Sequence, residues 1–569
     1  MNKSLLGLSI AACLACSGTT QAADIVLQNN DPAGVGLNDI TPATPVGNNP
    51  GKTRGEQASI VYQYAVDMWG GVLESSQPVY VAASFAPLSC TSTSGTLASA
   101  GTTVVVSDGV RSYGSALADA TFDFDVIEYL YGLSEYPDIV SNFNGALGAP
   151  GCLDGMSWYF GLDGKTPDGQ VNFLNVVMHE IGHGLGVQGF INRNVNSTGF
   201  GNNAYSNIDV YTANAYDNVL NQPFSALSGN GARRAALLTP GRTVWAGTNV
   251  NRNAALLLNK RLALIGAAPA ALAGKQYEVG FAKFGQLATA GTFAGKQFVL
   301  INDGDAAVGT TTDGCSTKGS ATTAGDTIVY ANQADVAGKV AVIDRGTCSF
   351  EYKSRIAQDN GAVGVVIVNN AGGVIDMALG AVPTSGLTIP SVMISQADGA
   401  ELKANIASAR ATVQVSDLLA GADAAGRARL YTPSTYAPGS SFSHFDEVAS
   451  PNALMEPFDD PSVQAHANVD MTPGLFQDIG WTLNAGTGKL SNKYQTCDTG
   501  LPAVADGGMV LGSSVQASHA MCANTTTNRT GYYSCMKGSA DTLKASGWLT
   551  STQHTKVLSC VRRVMDRVH

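Results

Sequence analysis

Val176-Val-Met-His-Glu-Ile-Gly-His-Gly-Leu-Gly186 is the stretch that decides how the remaining residues are read. His179 and His183 stand four apart, so on a helix both imidazoles leave one face, one turn above the other. That separation suits two ligands of a tetrahedral zinc ion. Glu180 lies too far round the helix to be a third ligand, but it can reach a water held by the metal and take its proton. The spacing predicts a helix from near Asn172 with Phe173, Val176, Val177 and Ile181 facing a core. Gly182, Gly184 and Gly186 weaken its end, where glycine suits a sharp reversal of the chain.

At 569 residues the chain is too long for one core, and length alone suggests about three or four domains. Charged residues make up 14% and glycines number 65, the profile of an ordered, loop-rich protein with many short strands. A net charge of −11 argues against nucleic acid or anionic membrane as the main partner. Residues 1–23 read as a secretory leader: Lys3, an apolar Leu5–Leu14, then small residues ending Gln-Ala-Ala. Ile10-Ala-Ala-Cys13 loosely fits a lipoprotein box, the alternative to full release. No later stretch offers about 20 unbroken apolar residues, so no transmembrane segment is expected. Beyond the leader stand eight cysteines: Cys90, Cys152, Cys315, Cys348, Cys497, Cys522, Cys535 and Cys560. An even count in an exported chain favours disulfides. Their clustering suggests Cys90–Cys152, Cys315–Cys348, and pairing of the last four among themselves.

Outward from the motif, Asp24–Gly55 reads as an extended entry without periodicity. Glu56–Glu74 has helical spacing. Pro78–Phe85 and Thr102–Ser107 read as strands, Phe124–Leu133 as a helix and Ser157–Phe160 as a strand. This is an α+β unit with helices packed on one sheet. Phe190–Leu272 is poorly specified and is expected to form a substrate-side wall. Asn484–Lys489 reads as a linker, and 486–569 as a small disulfide-braced extension.

The third ligand must come from elsewhere, because residue 189, where metzincin proteases place a histidine, is Gly. His444 lies in Gly439-Ser-Ser-Phe-Ser-His-Phe-Asp-Glu447, followed by Pro451-Asn-Ala-Leu-Met-Glu-Pro457 and Leu475-Phe-Gln-Asp-Ile-Gly-Trp481. In this order the motifs resemble the leishmanolysin-type metzincins. The resemblance implies a zinc protease fold in two segments, His444 as third ligand, and Met455 as an apolar floor beneath the metal. By residue chemistry alone, Asp446 and His466 are rivals for that ligand. Phe445 stands where that family has Trp, and Pro457 where some metzincins have a tyrosine donor.

Between the two segments, Val336–Phe350 is a strand leading to a turn, Glu351–Ala362 an amphipathic helix, and Val363–Asn369 and Ile389–Ile394 further strands. These resemble a protease-associated (PA) domain, an α/β module without catalytic equipment, in which Cys315 is the usual partner of Cys348. The expected divisions are 24–272 and 417–485 for the protease segments, 273–416 for the insert and 486–569 for the extension. A folded module fits in a surface loop when its ends lie close together.

The expected function is a secreted zinc endopeptidase of bacterial type acting on proteins or peptides, with one zinc ion and Glu180 as general base. A periplasmic or lipid-anchored location is the alternative to release. Two other functions stay open: a non-catalytic binding or adhesion protein with a vestigial site, and an aminopeptidase. Structural calcium finds no acidic loop of suitable ligand spacing. Oligomeric state leaves no mark on the sequence, and removal of Asp24–Gly55 as a propeptide stays open.

Overall fold

The computed structural model describes residues 22–307, 309–315, 328–370, 373–378 and 386–567. The expected leader therefore lies outside the described residues except for Ala22 and Ala23. The chain divides into two compact units, one formed by residues 1–258 and 421–569, the other by Asn259–Ala420.

The first unit is built on a four-stranded sheet. In chain order its elements are β1 (Ile25–Asn29), helix α1 (Arg54–Val72), β2 (Val79–Ala86), β3 (Ala98–Thr102), β4 (Ile139–Asn144) and helix α2 (Phe173–Gly184). The sheet order is β1-β2-β4-β3, with β3 antiparallel to β4 and the other pairs parallel. Asp24–Gly55 was expected to be an extended entry without regular structure. It instead contributes β1 to this sheet, and Leu37 and Asn49 from the same stretch are buried. Ala23, expected to leave with the leader, is also buried, and its amide donates to Leu73 O.

The expected strand at Thr102–Ser107 is two strands. Thr102 closes β3, and Val105–Ser107 pairs in a separate hairpin with Ser112–Gly114. The break falls at Thr103, whose amide donates to Asp138 O while the Thr102 hydroxyl donates to Val104 O.

Helix α1 starts in a capping box. The Thr53 side chain accepts from the Glu56 amide and Glu56 reaches back to the Thr53 amide. Its inner face joins sheet to α2: the Tyr62 hydroxyl meets Ser141 Oγ at 2.7 Å, and the Trp69 indole donates to Met178 O at 3.0 Å. At the start of α2 the Asn172 side chain accepts from the Asn175 amide. Phe173 then enters a cluster of rings from Phe85, Phe143, Trp158 and Phe160, with centroids 5.0–5.5 Å away.

The expected linker at Asn484–Lys489 runs into a hairpin of Thr487–Ser491 with Thr496–Pro502. Helices Leu511–Thr525, Arg529–Ala545 and Ser551–Val564 follow. This tail is no separate extension: the buried Tyr64 hydroxyl of α1 bonds to Ser514, and Asn484 Nδ2 donates to Gly71 O. Its cysteines pair as Cys497–Cys560 and Cys522–Cys535, beside Cys90–Cys152 in the same unit.

The second unit carries a five-stranded sheet in which Phe298–Leu300 at one edge, Val340–Asp344, Gly364–Val368 and Ser391–Ile394 run parallel, with Gly280–Phe281 antiparallel at the other edge. Helix Phe350–Asp359 covers one face, and Cys315–Cys348 braces the turn before it. The unit opens at Asn259, earlier than the expected 273, because Lys260–Ala268 pairs with Arg410–Leu419. That pairing sets Lys260 opposite Leu419, so the chain enters and leaves the unit on adjacent strands.

Candidate metal centre

Helix α2 ends where the motif demands a turn. Gly182 is a close approach: a Cβ there would stand 2.9 Å from Met455 Sδ, so the helix settles onto that sulfur only without a side chain. Gly186 adopts φ +127°, the reversal that carries the chain away from the helix. Trp481 closes this end by donating its indole N–H to Leu185 O at 2.8 Å. Three residues earlier, Asp478 accepts from Trp245 Nε1 and from the amides of Asn249 and Val250, holding the start of helix Thr248–Leu257. The Leu475–Trp481 motif thus ties the end of α2 to the start of helix Thr248–Leu257.

His444 is 261 residues from His183 in sequence, yet the three Nε2 atoms of His179, His183 and His444 lie 3.0–3.1 Å from one another. Each Nδ1 meets a backbone carbonyl at 2.7 Å: His179 on Leu454, His183 on Val187 and His444 on Ser440. A carbonyl only accepts, so each Nδ1 carries the proton and each Nε2 presents a lone pair to the common centre. Three converging lone pairs repel unless a cation sits among them. A triangle with edges near 3.1 Å has its centre about 1.8 Å from each corner, a spacing at which all three nitrogens would reach one zinc ion at about 2.0–2.1 Å. Burial holds His179 down at about 4 and His183 at about 3, and pushes His444 well below its usual range, so all three imidazoles are neutral near pH 7, the form that binds metal.

The rivals for the third position lie elsewhere. Among the described residues the cluster contains no carboxylate. Asp446 Oδ1 accepts from the Val448 amide, and His466 is buried against Gly164. Burial lowers His466 to about 4.

Glu180 is buried beside the cluster, and its Oε2 has no hydrogen-bond partner. Burial pushes its carboxyl up to about 8, opposed by the Ala100 backbone amide of β3. Met455 is fully buried, and its turn is fixed from behind. The Ala453 amide donates to Glu456 Oε1, and the Leu454 amide donates to Asp470 Oδ2 at 2.6 Å. Because Leu454 O holds His179, Asp470 steadies that imidazole at one remove. Sequence reading missed Asp470 because an aspartate 15 residues beyond Met455 has no local spacing to mark it. It also missed Tyr211, whose hydroxyl donates to Phe442 O at 2.7 Å and fixes the loop two residues before His444.

Residues 296–402 match the PA domain family. Among curated proteins, leucine aminopeptidase 2 of Arthroderma otae is 39% identical over 79 residues, 14% of this chain and 16% of that protein. The minor extracellular protease Vpr of Bacillus subtilis is 40% identical over 68 residues, 12% of this chain and 8% of that protein. The chain thus spans about one-sixth or less of the length of these relatives. Among solved structures, an aminopeptidase from Aneurinibacillus sp. strain AM-1 is 23% identical, covering 28% of this chain and 31% of that chain with a TM-score of 0.19. A zinc aminopeptidase from Bacillus subtilis is 18% identical, covering 29% and 35% with a TM-score of 0.16. Scores of this size do not indicate a shared overall fold.

Proposed function

We propose that the protein is an exported zinc-dependent endopeptidase with one zinc ion on His179, His183 and His444. The observation that carries this is the triangle of unprotonated Nε2 atoms with the unpartnered Glu180 carboxyl oxygen beside it. When bound, zinc acts as a Lewis acid that acidifies water and polarises a peptide carbonyl. The chain's own residues supply the rest. Glu180 Oε2 has no partner of its own, so it is free to take a proton from water and hand it to the leaving amine. The Ala100 amide keeps the carboxylate oriented. β3, which carries Ala100, is an edge strand, and its free side can pair with an extended peptide running past the site in both directions. That geometry favours cutting within a chain. Met455 serves as the apolar floor under the cluster. Export is supported by the leader-like start and the four disulfides.

The aminopeptidase reading is favoured by the names of the relatives above. The donor set of three imidazoles without a carboxylate, among the described residues, suits one ion rather than two. Casein cleavage that a chelator abolishes and zinc restores is expected, with N-acetylated peptides cut as readily as free ones. Glu180→Gln should lower the rate by about 10²–10⁴-fold with zinc retained. Cleavage confined to free amino termini would replace the proposal with the aminopeptidase. Zinc binding without any cleavage would replace it with a binding protein.

A further inference from the structure

Three arginines line the loop region that follows α2, and each donates only to backbone carbonyls. Arg193 Nη2 bonds to Gly189 O at 3.1 Å. Arg233 bonds to the carbonyls of Phe200 and Leu227, both at 3.2 Å. Arg234 bonds to Val195 O at 2.5 Å and lies over the Phe200 ring at 5.3 Å. Among the described residues none of the three has a carboxylate within ion-pair distance, although the chain carries 44 acidic against 33 basic side chains. Asp209, the acid in this region, uses its two oxygens on the amides of Phe190 and Thr212.

Arg193 is the one tied to the metal centre. Its acceptor Gly189 stands two residues past Val187, whose carbonyl holds His183. Gly189 also packs on the Phe442 ring, where a Cβ would come within 2.6 Å, and Phe442 is two residues before His444. The guanidinium's charge also acts on Tyr436. Tyr436 comes from the loop leading to His444; its ring meets Phe200 at 5.2 Å, and its buried hydroxyl has no partner. Arg193 is half-buried, and its one hydrogen bond, to Gly189 O, leaves other guanidinium N–H groups for a further partner. A planar guanidinium without a carboxylate of its own is suited to accept one from outside.

We propose that Arg193 is a specificity-determining residue that receives a substrate carboxylate next to the bond to be cut, with Arg233 and Arg234 adding positive field around it. This rests on the peptidase reading above. The carboxylate can come from an acidic side chain or from a free peptide C-terminus, and the two are separable by experiment.

The test uses the full-length zinc-loaded protein and matched peptides with Glu or Gln beside the scissile bond, each with a free or amidated C-terminus. Binding is read by calorimetry in the Glu180→Gln background, and kcat/KM in the parent protein. The expected result is a preference of about 10- to 100-fold for a carboxylate in one of these two positions. Arg193→Gln should erase that preference in both binding and turnover, and Arg193→Lys should restore part of it. A Glu-over-Gln preference identifies a side-chain carboxylate, and a free-over-amidated preference identifies the C-terminus. Peptide cleavage without either preference, or a preference that survives Arg193→Gln, overturns the inference while leaving the peptidase reading intact. No cleavage of any peptide, with no binding to the Glu180→Gln protein, overturns the peptidase reading itself.

Discussion

Asp470→Asn tests whether the turn around Met455 positions a ligand rather than merely filling space. Asp470 Oδ2 accepts from the Leu454 amide and Oδ1 from the Met471 amide. Leu454 O in turn receives the proton of His179 Nδ1. Asparagine has the same shape but only one accepting oxygen, so one buried N–H loses its partner, a cost of about 1–3 kcal/mol. If the Leu454 turn relaxes, the cost reaches the metal through His179. Losses of supporting partners of this kind weaken metal binding about 10–100-fold. Zinc affinity measured by competition with a chromophoric chelator, well below the unfolding temperature, should fall by that factor. Near-UV circular dichroism should show the fold retained. A folded Asp470→Asn protein with zinc affinity within twofold of the parent would refute the positioning role.

Other perturbations reach other parts of the molecule. Asp119 and Asp138 are buried together; burial, then the neighbouring Asp138, pushes Asp119 up to about 8, and burial pushes Asp138 up to about 6. Their folded values lie above the ordinary 3.8, so the stability they contribute is complete below about pH 4 and is lost as pH rises through 6 and then 8. Unfolding temperature should therefore decline between about pH 4 and 8 and level off above that, and Asp119→Asn should flatten that decline; an unchanged slope in the variant would contradict the assignment. Replacing residues 259–420 with a short glycine-serine link should leave zinc affinity within about threefold, because the paired strands bring the two ends side by side. Loss of zinc binding in a folded, excised protein would show that the second unit does more than occupy a loop. Truncation after residue 485 strips the cover from Tyr64 and should yield insoluble protein, whereas soluble, zinc-binding protein would contradict the packing described.

The parts legible in the sequence were those written in local pattern. The His179–His183 spacing, the helix start near Asn172 and the apolar face of α2 all lie within 15 residues. The strands and helix around Cys348 were equally plain, because buried parallel strands read as unbroken apolar runs. His444 was reachable only through its own short motif, since a 261-residue separation carries no register. Ala98–Thr102 escaped notice because Ala-Ser-Ala-Gly-Thr lacks the branched and aromatic residues that mark strands. It becomes a strand by pairing with Ile139–Asn144, and it is the strand beside Glu180. Asp470 and Arg193 were invisible for a related reason: each acts through a backbone carbonyl or amide, and no side-chain spacing records that. The start of the insert was misplaced because Lys260–Ala268 completes its sheet only with a partner 150 residues away.

X-ray absorption at the zinc edge of the purified protein, with metal content measured on the same sample, bears most directly on the central claim. One zinc per chain is expected, with three imidazole nitrogens at about 2.0–2.1 Å. His444→Ala should remove one of those nitrogens and most of the bound metal. Two ions per chain, a first shell dominated by carboxylate oxygen, or an unchanged spectrum in His444→Ala would contradict the account.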